Sequence, residues 1–325
     1  MKDIVSHIRQ PVEKHLLQFE QKFEQAVYSD VYLLNKITKY VIKRKGKQIR
    51  PLLVFLSAKM WGDINDQTHT AASLIELLHT ATLLHDDVVD NSNERRGFFS
   101  VYALWKSKAT VLVGDFLLAK GLLLSVQNKS YQLLEIVSDA VREMSEGELL
   151  QLDKSRKLDI TEKVYYEIIS KKTASLIAAC CASGCASTVS DEKIIQEMKK
   201  LGYLIGLAFQ IKDDLLDYTP SEITGKPTGI DIQEQKMTLP VIYSLQKASA
   251  NDRKKMIGIF KNYNEDADKI KWMIDKVIEL GGIEYAQQKM KEYHNAAIEL
   301  INTFPDSDAK ESMKLLIRYT IERNK

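Results

Sequence analysis

Hydrophobic positions along this chain recur mainly at spacings of three and four. Ala72, Ile75, Leu78, Thr82 and His85 form one series, and Leu201, Leu204, Ile205, Ala208, Ile211 and Leu215 form another. A repeat near 3.6 residues places such side chains on one helical face, so both segments are predicted as amphipathic helices. Ile4, Ile8, Pro11, Val12, His15 and Leu16 make a similar stripe. It predicts an N-terminal helical extension over 1–35, packing on the body or on a partner. Strand signals are nearly absent: there is no Asn-Gly or Asp-Gly turn, and clean alternation is rare. Six prolines occur, and none lies between Pro51 and Pro220, which suits long helices. The expectation is an all-α helical bundle. No linker or low-complexity stretch divides the chain, so residues 1–325 are read as a single domain.

Three segments read as loops: 63–67, 91–99, and 218–231 with Pro220, Gly225, Pro227 and Gly229. The last two each follow an apolar helix that ends in acidic residues. One cluster is Asp86-Asp87-Val88-Val89-Asp90, the other Asp213-Asp214-Leu215-Leu216-Asp217. Residues i and i+4 share a helical face, so Asp86 lies above Asp90 and Asp213 above Asp217. A helix C-terminus is already negative, and like charges at i and i+4 repel. Hard dications with oxygen ligands remove that conflict. Mg²⁺ commonly binds through one or two carboxylates, waters and substrate phosphates. A single Asp-Asp-x-x-Asp is weak evidence, but two copies in matching context point to a diphosphate bridged through Mg²⁺. The spacing lacks the glycine and terminal glutamate of a twelve-residue calcium loop.

Composition changes the picture little. The 46 Lys+Arg against 44 Asp+Glu give a net charge of +2, which argues against nucleic acid as a partner. Three cysteines exclude a disulfide scaffold. Charges run through the first thirty residues, leaving no apolar run for a signal peptide, so a cytoplasmic protein is expected. Residues 173–190 are uncharged, yet they are rich in Ala, Ser, Thr, Cys and Gly. They read as a tightly packed core helix, and no transmembrane segment is expected. Cys181 and Cys185 share a face, but no fourth ligand accompanies the three cysteines for zinc.

A diphosphate also needs cations. Gly46, Lys47 and Arg50 precede Pro51; Arg95 and Arg96 follow the first acidic cluster; Lys172 neighbours Thr173; Lys226 and Lys236 follow the second cluster. Arginine's fork matches phosphate oxygens in pairs. His79 lies seven residues before Asp86 and so on nearly the same face, either donating to a phosphate or bonded to a neighbour such as Glu76.

These residues resemble the trans-isoprenyl diphosphate synthases, the polyprenyl synthetase family, from about Lys45 to the C-terminus. The resemblance rests on Gly46-Lys47-x-x-Arg50-Pro51, Glu76-x-x-His79, the two acidic clusters, Arg95-Arg96-Gly97, Lys172-Thr173-Ala174 and Phe209-Gln210. Gly225-Lys226-Pro227-x-Gly229-x-Asp231, Gly281-Gly282 and Arg323 complete it. The family usually carries two glycines before the first lysine. Here Lys45 replaces one, and Gly46 keeps the close backbone approach.

The resemblance implies an all-α fold around a deep central cavity, usually in a homodimer. It implies sequential condensation of isopentenyl diphosphate onto an allylic diphosphate, farnesyl or geranyl. Gly46, Lys47, Arg50, His79 and Arg96 would hold isopentenyl diphosphate. Asp86, Asp90 and Asp213 would hold Mg²⁺, three ions per site, with Asp87, Asp214 and Asp217 supporting the metals or their waters. Arg95, Lys172, Lys226 and Lys236 would grip the allylic diphosphate, with Thr173 and Gln210 facing the cationic carbon. Family members with short products carry bulky aromatics at the positions of Ala81 and Thr82. Both are small here, with Leu78 one turn deeper, which implies a heptaprenyl or octaprenyl product of the kind used in quinone side chains. Leu123 and Leu124 are candidates for the floor. A shorter-chain synthase and a class I terpene cyclase are the alternatives. Lys47, Arg50 and Arg96 argue against the cyclase, which has no second diphosphate to bind. The two intact acidic clusters argue against a non-catalytic subunit.

Overall fold

In the computed structural model, residues 2–44, 46, 48–95, 97–157, 160–219 and 228–322 are described. The fold is all-α, in agreement with the spacing pattern. The described chain divides into two compact units. One comprises residues 1–141, 179–199 and 305–313, the other 142–178, 200–304 and 314–325.

In the first unit, α1 (Lys2–Arg9), a 3₁₀ turn at Gln10–Val12, and α2 (Glu13–Ala26) carry the N-terminal stripe. Ile8, Val12, Leu16 and Phe19 are buried there. Two further helices follow, α3 (Tyr32–Lys43) and α4 (Ile49–Trp61), the second almost wholly buried. The helix that carries the first acidic cluster is α5 (Asp66–Val89). It starts at a capping box in which Asn65 accepts from the Gln67 and Thr68 amides and Thr68 returns the bond to Asn65. Such a cap stabilises a helix by about 1 kcal/mol. The predicted loop 63–67 therefore gives way to helix at Asp66, two residues earlier than expected. Within the first apolar series Ala72, Ile75 and Leu78 are buried, while Thr82 and His85 are half-buried.

The segment 91–99 was expected as a loop. It contains two antiparallel two-residue strands, β1 (Glu94–Arg95) and β2 (Phe98–Phe99). Strands this short show no alternation for a sequence pattern to detect. After them α6 (Val101–Gln127) returns antiparallel to α5: a Cβ on Gly114 would collide with the His85 ring, and one on Gly121 would press on Leu74 and Leu78. Among the described residues α6, rather than residues 173–190, is the helix long and apolar enough to cross a membrane, and a third of that stretch is buried. Leu112, Leu122, Leu123 and Val126 are exposed on it.

The next helices are α7 (Tyr131–Lys157), α8 (Glu162–Ile169), a π turn at Ser170–Ala174, α9 (Ser175–Ala186) and α10 (Glu192–Leu216). A short α11 (Ile230–Gln233) precedes α12 (Leu239–Lys247), α13 (Ala250–Asn262), α14 (Ala267–Glu279), α15 (Gly282–Asn302) and α16 (Asp308–Glu322). In the second unit Leu207, Ile211 and Leu215 of α10 pack in one core with Tyr165, Leu239 and Phe260. Ile211 and Leu215 belong to the second apolar series of the sequence, in which Leu201, Ile205 and Ala208 are also buried and Leu204 is half-buried.

Candidate active site

Each acidic cluster sits at the C-terminal end of its helix, as the sequence predicts, and each belongs to a different unit. At the end of α5, Asp87 is 2% exposed and accepts from Arg95 Nε at 2.6 Å. Burial pushes its carboxyl up and the Arg95 guanidinium pulls it down. Asp90 caps the helix in an exposed position. A cavity of about 90 Å³ in this unit is lined by Gln48, Glu76, His79, Thr80, Asp87 and Arg95, with Phe19, Phe23 and Leu83 among its apolar walls. His79 is buried. The hairpin is braced from outside: the Arg44 guanidinium lies 3.5 Å from the Tyr40 ring centre and 4.8 Å from that of Phe98. The Tyr40 hydroxyl donates to the Phe99 carbonyl at 2.6 Å. These contacts hold Arg95 over Asp87.

The second unit encloses a larger cavity, about 480 Å³. Asp213, Asp214, Asp217, Asp231, Lys172, Lys236, Thr173 and Gln210 all line it. The π turn aims two of them. A wider turn of this kind interrupts helices most often at functional sites. Here it carries Lys172 and Thr173, and two glycines grip it. A Cβ on Gly206 would lie 2.5 Å from Ala174 Cα, and one on Gly147 would lie 2.9 Å from the Lys172 amide. Only hydrogen fits at either place, so the turn is fixed between α7 and α10. Lys172 pairs with Glu148 and donates to Gln151 at 3.1 Å, while Lys236 pairs with Glu234.

The carboxylates of this cavity are crowded. Asp214 is 6% exposed and accepts from the Tyr165 hydroxyl at 2.6 Å and from Gln210 Nε2 at 2.8 Å. Asp217 accepts from the amides of Ile230 at 2.9 Å and Asp231 at 3.1 Å, capping α11, which starts at Gly229 in the left-handed region. Burial above all, with the neighbouring carboxylates adding to it, raises Asp214 to about 7 and Asp231 to about 8, against the Tyr165 and Gln210 hydrogen bonds to Asp214 and the charge of Lys236 near Asp231. Burial likewise raises Asp217. A bound dication reverses such shifts by supplying the missing positive charge. Among the described residues, no three His, Cys, Asp or Glu side chains form a ready-made metal cage. Mg²⁺ keeps waters and takes its remaining ligands from substrate phosphates, so it calls for no such cage.

The family resemblance implies Asp86, Asp90 and Asp213 as metal ligands and Asp87, Asp214 and Asp217 as their supports. Asp87 and Asp214 face inward onto protein donors. Sequence reasoning singled out neither Tyr165 nor the side chain of Asp231. The position of Tyr165, seven residues before Lys172, was the available signal. Arg50 is half-buried at the start of α4, and Gly46 is exposed. Lys47, Arg96 and Lys226 lie outside the described residues. Ala81 is fully buried and, by register, shares the α6-facing stripe with Leu74, Leu78 and His85. Thr82 is half-buried and donates to the His79 carbonyl at 2.8 Å. Leu123 is 54% exposed, so in this chain it forms surface and not a cavity floor.

Comparison with known proteins shows the family. The polyprenyl synthetase profile matches residues 31–277. Octaprenyl diphosphate synthase of Escherichia coli (strain K12) is 36% identical over 303 residues, covering 91% of this chain and 92% of that protein. A short chain isoprenyl diphosphate synthase of Methanothermobacter thermautotrophicus is also 36% identical, over 300 residues, covering 89% and 90%. A solved polyprenyl synthase of Caulobacter crescentus, complexed with calcium and isoprenyl diphosphate, superposes with a TM-score of 0.91 at 32% identity, covering 99% and 98%. The chain therefore belongs to the polyprenyl synthetase family and is a prenyltransferase.

Proposed function

We propose that this chain is a long-chain trans-polyprenyl diphosphate synthase. It adds isopentenyl diphosphate units to an allylic diphosphate and ends at heptaprenyl or octaprenyl. The observation that carries this reading is the 480 Å³ cavity, in which crowded carboxylates stand beside Lys172 and Lys236 and the Thr173–Gln210 pair. A surplus of buried carboxylates with lysines beside them suits a diphosphate that arrives with dications. It suits no neutral ligand.

In this reading Asp86, Asp90 and Asp213 are the Mg²⁺ ligands, and Asp87, Asp214 and Asp217 orient them or their waters. When bound, the metal supplies Lewis-acid neutralisation of the diphosphate. Lys172 and Lys236, with Arg95 and Lys226, hold the allylic diphosphate; Gly46, Lys47, Arg50, His79 and Arg96 hold isopentenyl diphosphate. The lysines neutralise charge as the allylic C–O bond breaks and its electron pair leaves with the diphosphate. The isopentenyl double bond attacks the allylic carbon, and the released diphosphate takes the proton that departs. Exclusion of water protects the cation meanwhile.

Two relatives with equal identity carry octaprenyl and short chain names, so overall similarity does not choose the product length. Small residues at Ala81 and Thr82 favour the long product. The exposed apolar side chains of α6 favour a homodimer, since a patch of this kind on a helix face marks an association surface. Light scattering checks it, and a monomer would remove this part of the reading. Three free buried cysteines suit a reducing compartment such as the cytoplasm.

The test is a product assay on the purified chain with Mg²⁺, farnesyl diphosphate and excess isopentenyl diphosphate, sizing dephosphorylated products by mass. The expected result is a ladder ending at heptaprenyl or octaprenyl. Thr82→Phe should shorten it. Ala81→Phe should also shorten it, but it crowds the α5–α6 seam as well. Unchanged length in both variants would refute the steric account.

A further inference from the structure

Three hydrogen bonds in the second unit run in line from its core to its cavity. Tyr165 donates its hydroxyl to Asp214 Oδ2 at 2.6 Å, and Gln210 donates Nε2 to Asp214 Oδ1 at 2.8 Å. Thr173 Oγ1 donates to Gln210 Oε1 at 2.7 Å. When ionised, Asp214 can only accept, and so it dictates every direction in the line. The amide must turn Nε2 toward Asp214, which leaves Oε1 for Thr173. The threonine's single O–H is then used on Gln210, and only lone pairs of its oxygen remain for the cavity. A threonine outside such a line could present either a proton or a lone pair. A glutamine without it could present either end of its amide.

We propose that Tyr165 and Asp214 are positioning residues that fix the Gln210 amide so that Thr173 is left acceptor-only, and the cavity meets a developing allylic cation with the threonine's lone pairs and offers it no O–H. The inference rests on the prenyl-transfer reading above. Dipoles already oriented toward developing charge need no reorganisation when the C–O bond breaks, which is where enzymes gain most from fixed polar groups. Tyr165 does this from within the core. Its hydroxyl is the second donor that anchors the Asp214 carboxylate, and phenylalanine would fill the same space without anchoring it. The grip of Gly147 and Gly206 on the π turn keeps Thr173 within reach of Gln210.

The test is a double-mutant cycle in the full chain, assayed with Mg²⁺, farnesyl diphosphate and isopentenyl diphosphate. Tyr165→Phe and Thr173→Val should each lower kcat about tenfold, with both KM values within about twofold of wild type. The double variant should be no slower than the slower single one, because the oriented hydroxyl can be lost only once. Thr173→Ser, which keeps the O–H and the lone pairs, should restore near-normal kcat. Wild-type kcat in Tyr165→Phe, multiplicative losses in the double variant, or effects confined to KM would overturn the inference. If Tyr165→Phe does not fold, as judged by its circular-dichroism melt, a cycle of Gln210→Leu with Thr173→Val reads the same line. Multiplicative losses there overturn the inference too. A wild-type chain that yields no prenyl product overturns the prenyl-transfer reading and this inference together. An active wild type with multiplicative losses overturns this inference alone.

Discussion

At the end of α5 the middle carboxylate, Asp87, is paired with a cation, whereas its counterpart at the end of α10, Asp214, is held by two neutral donors. The third carboxylates differ as well. Asp90 is exposed, and Asp217 is drawn in by two backbone amides. One motif thus produces two environments. The first end carries its own positive charge and opens to solvent. The second gathers buried carboxylates, of which burial raises Asp214 to about 7 and Asp231 to about 8. An acidic motif therefore specifies where carboxylates begin, and the residues packed against them decide which remain available to a ligand.

The strongest test of this division is between the outward and inward members. Asp86→Ala and Asp213→Ala should each lower turnover by about 10³-fold, far beyond any change in KM for isopentenyl diphosphate. Asp87→Asn and Asp214→Asn should lose less turnover and more thermal stability. Steady-state kinetics beside melting curves would read both, and equal turnover losses at all four positions would erase the distinction.

The next effect is on stability. Arg95→Gln leaves Asp87 buried without its cation and should cost about 2 kcal/mol, scaled down from a fully buried pair because Arg95 is partly exposed. Urea denaturation measures it. At the other end Asp214 is held by neutral donors and Lys236 pairs with the exposed Glu234, so Lys236→Gln should change stability much less.

The smallest effect is the pH profile without divalent cations. In the first unit, burial lowers His69 from 6.5 to about 4. The unfolded chain binds that proton more readily, so this stability is present above pH 6.5 and is lost as pH falls toward 4. In the second unit Asp214 and Asp231 behave oppositely. Their folded values, about 7 and 8, lie above the unfolded 3.8. Their contribution is complete below about pH 4 and is lost as pH rises toward 8. His69→Phe should flatten the loss between pH 6.5 and about 4 in the melting-temperature profile, and Asp231→Asn the loss between about pH 4 and about 8. A variant with the wild-type slope would remove that residue from the account.

Much of this site was legible in the chain. Its proline-free stretch and its spacings of three and four described the helices, because burial of one face imposes a 3.6-residue period whatever the neighbours are. The acidic clusters, Lys172-Thr173 and Gln210 were likewise visible as ordered motifs. Other features left no such trace. The hairpin that carries Arg95 has strands too short for a pattern. The π turn beneath Lys172 reads as ordinary helix. Leu123 looks like a core residue and lies at the surface, because hydrophobicity alone does not say which side of a helix meets the protein.

By itself the sequence determined the helical class, the two acidic helix ends and the family, since period and motif order are properties of the chain alone. Only the tertiary structure decided which aspartates turn inward, that Tyr165 anchors Asp214, and that Gly147 and Gly206 hold the π turn. Those outcomes depend on partners distant along the chain: Tyr165 meets Asp214 across 49 residues. A donor enters an acceptor's surroundings only once folding has removed the water that would otherwise satisfy both.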